Sequence, residues 1–236
     1  MKIALLFRGQ PRFIENNISF LSHKKFILDK YSTDVFIHTW WSKDGGEYDC
    51  APWSGIQNCS IPSERAINIL NNIYNPKNML VEKPRKFKIE DEYGLEKWNK
   101  KFSETTSMSN TFSQLYSVNQ VCNLVEKEDI KKYNFLVLSR LDNNILNFPD
   151  LHQLDPQYFY LESIHPRFPD PIFIFSPKFY KFLYVYDNLR YCIDVAPSES
   201  EYLAAETFFQ ETYKKFYSYD LIRPLEQIQT EYVRQQ

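Results

Sequence analysis

Three short stretches carry residue types suited to chemistry, and each follows an apolar run. Arg8-Gly9-Gln10-Pro11-Arg12 comes after Lys2 to Phe7. Two guanidinium groups, backbone amides and the start of a following helix would converge there, which suits a diphosphate. A surface turn with two solvated arginines is the alternative. His38-Thr39-Trp40-Trp41 comes after Val35 to Ile37. The tryptophans could stack a nucleobase, or could anchor core and loop. Arg140-Leu141-Asp142-Asn143-Asn144 comes after Phe135 to Leu138, and Asp142 is the only acid between Ile130 and Phe148. Asp and Asn in a row can make a turn by bonding their own backbone. Past a buried strand they can also line the sheet edge where α/β proteins bind ligands.

The elements that would position these residues alternate. "KIALLF" reads as a buried strand, Arg12 to Tyr31 as a helix with Pro11 in its first turn, and Val35 to Ile37 as a second strand. Strand, helix and strand in that space form a βαβ unit with parallel strands. All three chemical stretches then share one carboxyl edge. Ser63 to Tyr74 reads as a helix capped by Ser63, and Met79 to Val81 as a third strand. Thr106 to Lys127 is the clearest helix, since Met108, Phe112, Leu115, Val118, Cys122 and Val125 step by three or four. Its first half is rich in Ser, Thr, Asn and Gln, which is odd for a plain surface helix. Tyr158 to Leu161 and Ile172 to Phe175 are further strands. Pro177 to Leu189 and Glu199 to Tyr217 read as helices, and Ile222 to Gln236 as a tail or short helix. Ser42 to Pro62 reads as irregular, and Lys83 to Lys101 as a solvated excursion.

Composition narrows the classes. The chain has 236 residues, enough for one large domain, with 43% hydrophobic and 17% aromatic residues. A formal net charge of −2 lacks the basic footprint of a nucleic-acid binder. Five glycines form neither GxGxxG nor GxxxxGK[ST], and no GxSxG elbow occurs. Cys50, Cys59, Cys122 and Cys192 show no CxxC spacing, so a zinc site is not expected. Cys122 and Cys192 read as buried thiols. No signal peptide or membrane-spanning run is recognisable, and a cytoplasmic location is expected.

Taken together, "KIALLFRGQPRF", "DVFIHTWW" and "YNFLVLSRLDNNI" resemble the GT-A class of nucleotide-sugar glycosyltransferases. They are especially similar to small bacterial and viral enzymes of polysaccharide or capsule type. The resemblance covers the first 150 residues well and the remainder loosely. "DPIFIFSPKFYKFL" and "SESEYLAAETFF" are similar to later segments of such domains. It implies a single-domain α/β fold, Rossmann-like, with a mixed, mainly parallel sheet flanked by helices. Residues 1–150 would bind the nucleotide sugar and 151–236 would serve the acceptor side.

The resemblance also implies a reaction: transfer of a sugar from a nucleoside diphosphate, UDP above all, to a hydroxyl of a saccharide or glycan. Such enzymes bind Mn²⁺ or Mg²⁺ through Asp-x-Asp. Here that element reads Asp142-Asn143-Asn144, so Asp142 and Asn144 would be the metal ligands, the second carboxylate having become an amide. Arg8, Gly9, Gln10, Arg12, His38, Thr39, Trp40, Arg140 and Asp142 would hold the donor. An inverting enzyme needs a carboxylate base. Asp170, held between Pro169 and Pro171, and Glu201, near the start of the acidic helix, are the candidates. The alternatives are a nucleotidyltransferase or nucleotide hydrolase on a related sheet, and a non-catalytic nucleotide or carbohydrate-binding module.

Overall fold

The computed structural model describes residues 1–44, 63–87, 108–163, 171–187 and 205–233. Its elements are β1 (Lys2–Gly9), α1 (Ile18–His23), β2 (Ser32–Trp40), α2 (Ala66–Tyr74), β3 (Asn78–Glu82) and α3 (Met108–Glu126), then β4 (Phe135–Arg140), β5 (Asn143–Asn147), β6 (Phe159–Glu162), β7 (Ile172–Phe175), α4 (Ala205–Phe216), β8 (Ile222–Leu225) and β9 (Gln229–Tyr232).

One seven-stranded sheet runs β3-β2-β1-β4-β7-β6-β8. β7 is antiparallel to both β4 and β6, and the other pairings are parallel. The fold is therefore α/β with a mixed, mainly parallel sheet, as expected. The β1–α1–β2 unit is the predicted βαβ crossover. Alternation along β1 splits the core: Ala4 and Leu6 face α3, α4 and the segment Pro177–Asp187, whereas Ile3, Leu5 and Phe7 face α2 and the α1 region. Every one of these five is fully buried, which is why "KIALLF" carries no polar residue after Lys2.

Several elements depart from the sequence expectation. No helix starts at Arg12. A 3₁₀ turn, Ile14–Asn16, is flanked by Phe13 and Asn17 at φ 55° and 57°, and α1 begins only at Ile18. Those left-handed residues break any helix there, so the helix-dipole contribution to anion binding at Arg8 to Arg12 is absent. The faces of α1 are also reversed: Ile18 and Leu21 are exposed, while Ser19, Ser22 and His23 are buried. The reason is β5. The Ile145 N–H donates to Ser22 Oγ at 3.0 Å, so this helix spends its inner face on backbone hydrogen bonding.

Pro177–Asp187 is wound as a 3₁₀ helix. Residues three apart eclipse in such a helix, and Phe179 and Phe182 both pack on Phe159, at 5.8 and 5.6 Å between ring centroids. The C-terminal stretch is two strands rather than a tail or helix: β8 pairs with β6 at the sheet edge, where Pro224 is tolerated, and β9 pairs with β5 in a separate two-stranded sheet. Cys122 is a buried free thiol, as expected, and burial raises its pKa. Cys50, Cys59 and Cys192 lie outside the described residues, as do most of the two stretches read as irregular or solvated. Among the described residues no helix is long and apolar enough to cross a membrane.

Candidate functional site

Strand register brings the three stretches to one edge. Arg8 lies beside His38 on β2 and beside Arg140 on β4, Gly9 lies beside Thr39, and Trp40 beside Glu82 on β3. Because parallel neighbours in register point to the same face, Arg8 and Arg140 are adjacent cations on one side of the sheet. Arg8 is 1% exposed, with its guanidinium 5.9 Å from the Phe209 ring centre, so the reading of Arg8 as a solvated turn residue does not hold.

The β1 end is fixed by a buried polar chain. Gly9 takes φ 102°, a conformation that favours glycine, and its N–H donates to Ser117 Oγ at 3.1 Å. Ser117 Oγ lies 2.6 Å from His38 Nδ1, and His38 Nε2 lies 2.9 Å from Glu82 Oε2. The His38 hydrogen bond, with further help from Tyr116, holds the Glu82 carboxyl below its ordinary value despite partial burial. Burial lowers the His38 pKa, against the pull of Glu82. A neutral His38 facing an ionised Glu82 must donate from Nε2, so Nδ1 accepts from the Ser117 hydroxyl. Proton donation thus runs one way from Ser117 to Glu82, with Gly9 feeding into Ser117. Thr39 Oγ1 adds a bond to the Gly9 carbonyl at 2.9 Å.

Polar residues along α3 are likewise used for bonding within the fold: Ser117 serves Gly9 and His38, Ser109 Oγ accepts from Phe87 N–H, and Asn119 Nδ2 donates to the Tyr184 carbonyl. A Ser117→Ala variant leaves the Gly9 N–H and His38 Nδ1 without that partner in a buried setting. It should lose about 1–3 kcal/mol of stability. Equilibrium urea unfolding measures it, and an unchanged midpoint would remove the chain from the account of this edge.

Trp40 is 3% exposed. It stacks on Tyr116 with centroids 5.5 Å apart and meets the His38 ring edge-on at 4.9 Å. His38 and Trp40 therefore belong to the packing beneath the edge. Trp41 is less buried, and its indole N–H donates to the Ser63 carbonyl at 3.0 Å.

On the other side of β1, Leu141 and Asp142 make the turn between β4 and β5, and Asp142 is also buried. The turn and the ligand-edge readings of this stretch are thus compatible. Arg140 grips Asp142 in a two-point pair, Nε to Oδ1 at 2.8 Å and Nη2 to Oδ2 at 2.9 Å. Burial alone would raise the Asp142 pKa, yet it is lowered, because Arg140 and then Arg12 favour the ionised form. Arg12 Nε donates to Gln10 Oε1 at 2.7 Å. Tyr232, on β9, places its ring 4.3 Å from the Arg140 guanidinium, and the Val233 N–H donates to the Asp142 carbonyl at 3.0 Å.

Asn144 belongs to the second sheet. It pairs with Glu231 and donates from Nδ2 to Glu231 Oε1 at 2.8 Å. Asn143 Nδ2 faces Ser139 Oγ at 3.2 Å and the Pro171 carbonyl at 3.4 Å. The Mn²⁺ or Mg²⁺ site expected at Asp142 and Asn144 does not fit these donors. Both Asp142 oxygens already accept from Arg140, and a cation there would stand against guanidinium groups. Among the described residues no three His, Cys, Asp or Glu side chains are grouped so that they could hold a metal ion. Asp170 and Glu201 lie outside the described residues.

Ser117, Glu82, Tyr116, Glu231 and Tyr232 join the site without having been singled out from the sequence. Ser117 lies just past the polar first half of the predicted helix, and nothing local marks Tyr232. No family model matches the chain, and no curated protein matches it. Among solved structures it is similar to the glycosyltransferase GlyE of Streptococcus pneumoniae TIGR4, with 11% identity and a TM-score of 0.44, over 95% of this chain and 45% of that one. The chain spans less than half the length of that structure.

Proposed function

We propose that this protein is a glycosyltransferase that moves a sugar from a nucleoside-diphosphate sugar, a UDP-sugar in the first instance, to a hydroxyl of a saccharide acceptor. The observation that supports it is the meeting of Arg12 and Arg140 around Asp142, with Arg8 beside Arg140 in the strand register, at the carboxyl edge of β1 and β4. A diphosphate leaving group gains negative charge as the glycosidic bond breaks. Guanidinium groups held in place before that moment stabilise it without reorganising. Arg140, 21% exposed, and the half-buried Arg12 are more accessible than Arg8, which is buried. The acceptor proton would go to a carboxylate base, for which Asp170 and Glu201 remain the candidates.

The test is a product assay across a panel of nucleotide sugars and saccharide acceptors. Release of nucleoside diphosphate together with movement of the sugar is the expected result. Release of pyrophosphate would instead identify a nucleotidyltransferase. One observation favours a second reading, a non-catalytic nucleotide or carbohydrate-binding module: the carboxylate expected to hold a catalytic cation is committed to Arg140. Binding without turnover across the panel would establish that module.

A further inference from the structure

We infer that Asp142 is the counter-ion that organises the arginines of this edge, and that the edge takes up a nucleoside diphosphate through guanidinium groups without a divalent cation. This rests on the nucleotide-sugar reading above for the identity of the ligand, but the roles of the side chains come from geometry. A hard cation needs oxygen lone pairs directed at one point. Asp142 directs both of its oxygens at Arg140, Nε and Nη2 being 2.8 and 2.9 Å away. Asn144, the second ligand of the expected pair, is turned to Glu231 on the separate β5–β9 sheet.

A cation entering here would have to pull Asp142 away from Arg140 and would then sit beside Arg140 and Arg12, whose charges both act on Asp142. An anion meets the opposite situation. Guanidinium groups match phosphate oxygens in a two-point geometry, and their planes gain from being fixed beforehand. Arg140 is held by the Asp142 pair along one edge and by the Tyr232 ring 4.3 Å from its centre. In this arrangement Asp142 competes with the incoming diphosphate for the same arginines. The sign of its effect on binding is therefore the reverse of that of a metal ligand.

The experiment is calorimetric titration of the whole chain with UDP, first in EDTA and then with excess Mn²⁺, for the wild type, Asp142→Asn and Arg140→Met. UDP is expected to bind in EDTA, with Mn²⁺ changing the affinity by less than about threefold. Asp142→Asn keeps one oxygen to accept from Arg140 and removes a competing charge, so it should tighten UDP roughly tenfold in EDTA. Arg140→Met should weaken it by about tenfold or more. Binding that requires Mn²⁺, or that weakens in a folded Asp142→Asn, overturns the inference while leaving the glycosyltransferase reading intact. Binding in EDTA with no sugar transfer supports the inference and removes that reading, and absence of UDP binding in both buffers overturns both. Should Asp142→Asn fail to fold, the wild-type comparison of the two buffers decides alone.

Discussion

An Asp142→Ala protein should be less stable than wild type by about 3 kcal/mol. Removing one partner of a buried ion pair strands the other, a loss of roughly 3–5 kcal/mol where the survivor is fully enclosed. Arg140 is 21% exposed and its partner 8%, so water recovers part of the loss and the lower end applies. Arg12 adds to the penalty, since its charge also acts on Asp142 and on Arg140. The same pair sets a pH dependence. The folded-state pKa of Asp142 lies below its ordinary value. Its stabilisation is therefore complete above that ordinary value and is lost as pH falls through the folded one, below about pH 4. Urea unfolding at neutral pH and again in acid measures both parts: the gap between wild type and variant should be wide at neutral pH and narrow in acid. An Asp142→Ala variant as stable as wild type at neutral pH would end the counter-ion role.

A Phe159→Ala substitution should destabilise the protein by about 3–5 kcal/mol, the range for deleting a buried aromatic ring whose surroundings cannot collapse. Phe159 is fully buried on β6. Its ring packs on Phe173 and Phe175 of β7 at 5.4 and 5.2 Å, and on Tyr213 of α4 at 5.2 Å. The 3₁₀ segment closes the cluster with Phe179 and Phe182. Three other elements thus meet on the ring of Phe159, and none can move in without leaving another contact. The cluster reaches the site through Phe173 and Phe209, 5.3 Å apart, since Phe209 lies under the Arg8 guanidinium. Denaturant unfolding should show a lower midpoint with an unchanged slope. A loss below about 1 kcal/mol would mean that the cluster repacks and gives Phe209, and Arg8 above it, no rigid support.

The sequence by itself determined where the main strands lie and which of their ends carry polar chemistry. Val35 to Ile37, Phe135 to Leu138 and Ile172 to Phe175 are short apolar runs, and a strand buried on both faces needs little more than that to be legible. The alternation of strand and helix then implied parallel pairing, and with it a shared edge for Arg8, His38 and Arg140. Helix α3 was legible through its step of three and four.

Tertiary structure alone decided what those edge residues do. His38 is linked to Ser117 and Glu82 across 79 and 44 residues, and no local pattern encodes a hydrogen-bond partner at such range. β5 and β9 are polar strands that exist because they pair with each other, so neither shows the apolar run or alternation that would announce it. The inward polar face of α1 has the same origin, since Ser22 is buried to meet a backbone N–H that only the fold brings there. Asp142 is the sharpest case. Its position past a strand marks it as a ligand-edge residue, but whether a carboxylate holds a cation or an arginine depends on which charge the packing puts within reach. Here Arg140 and Arg12 are the charges that packing supplies.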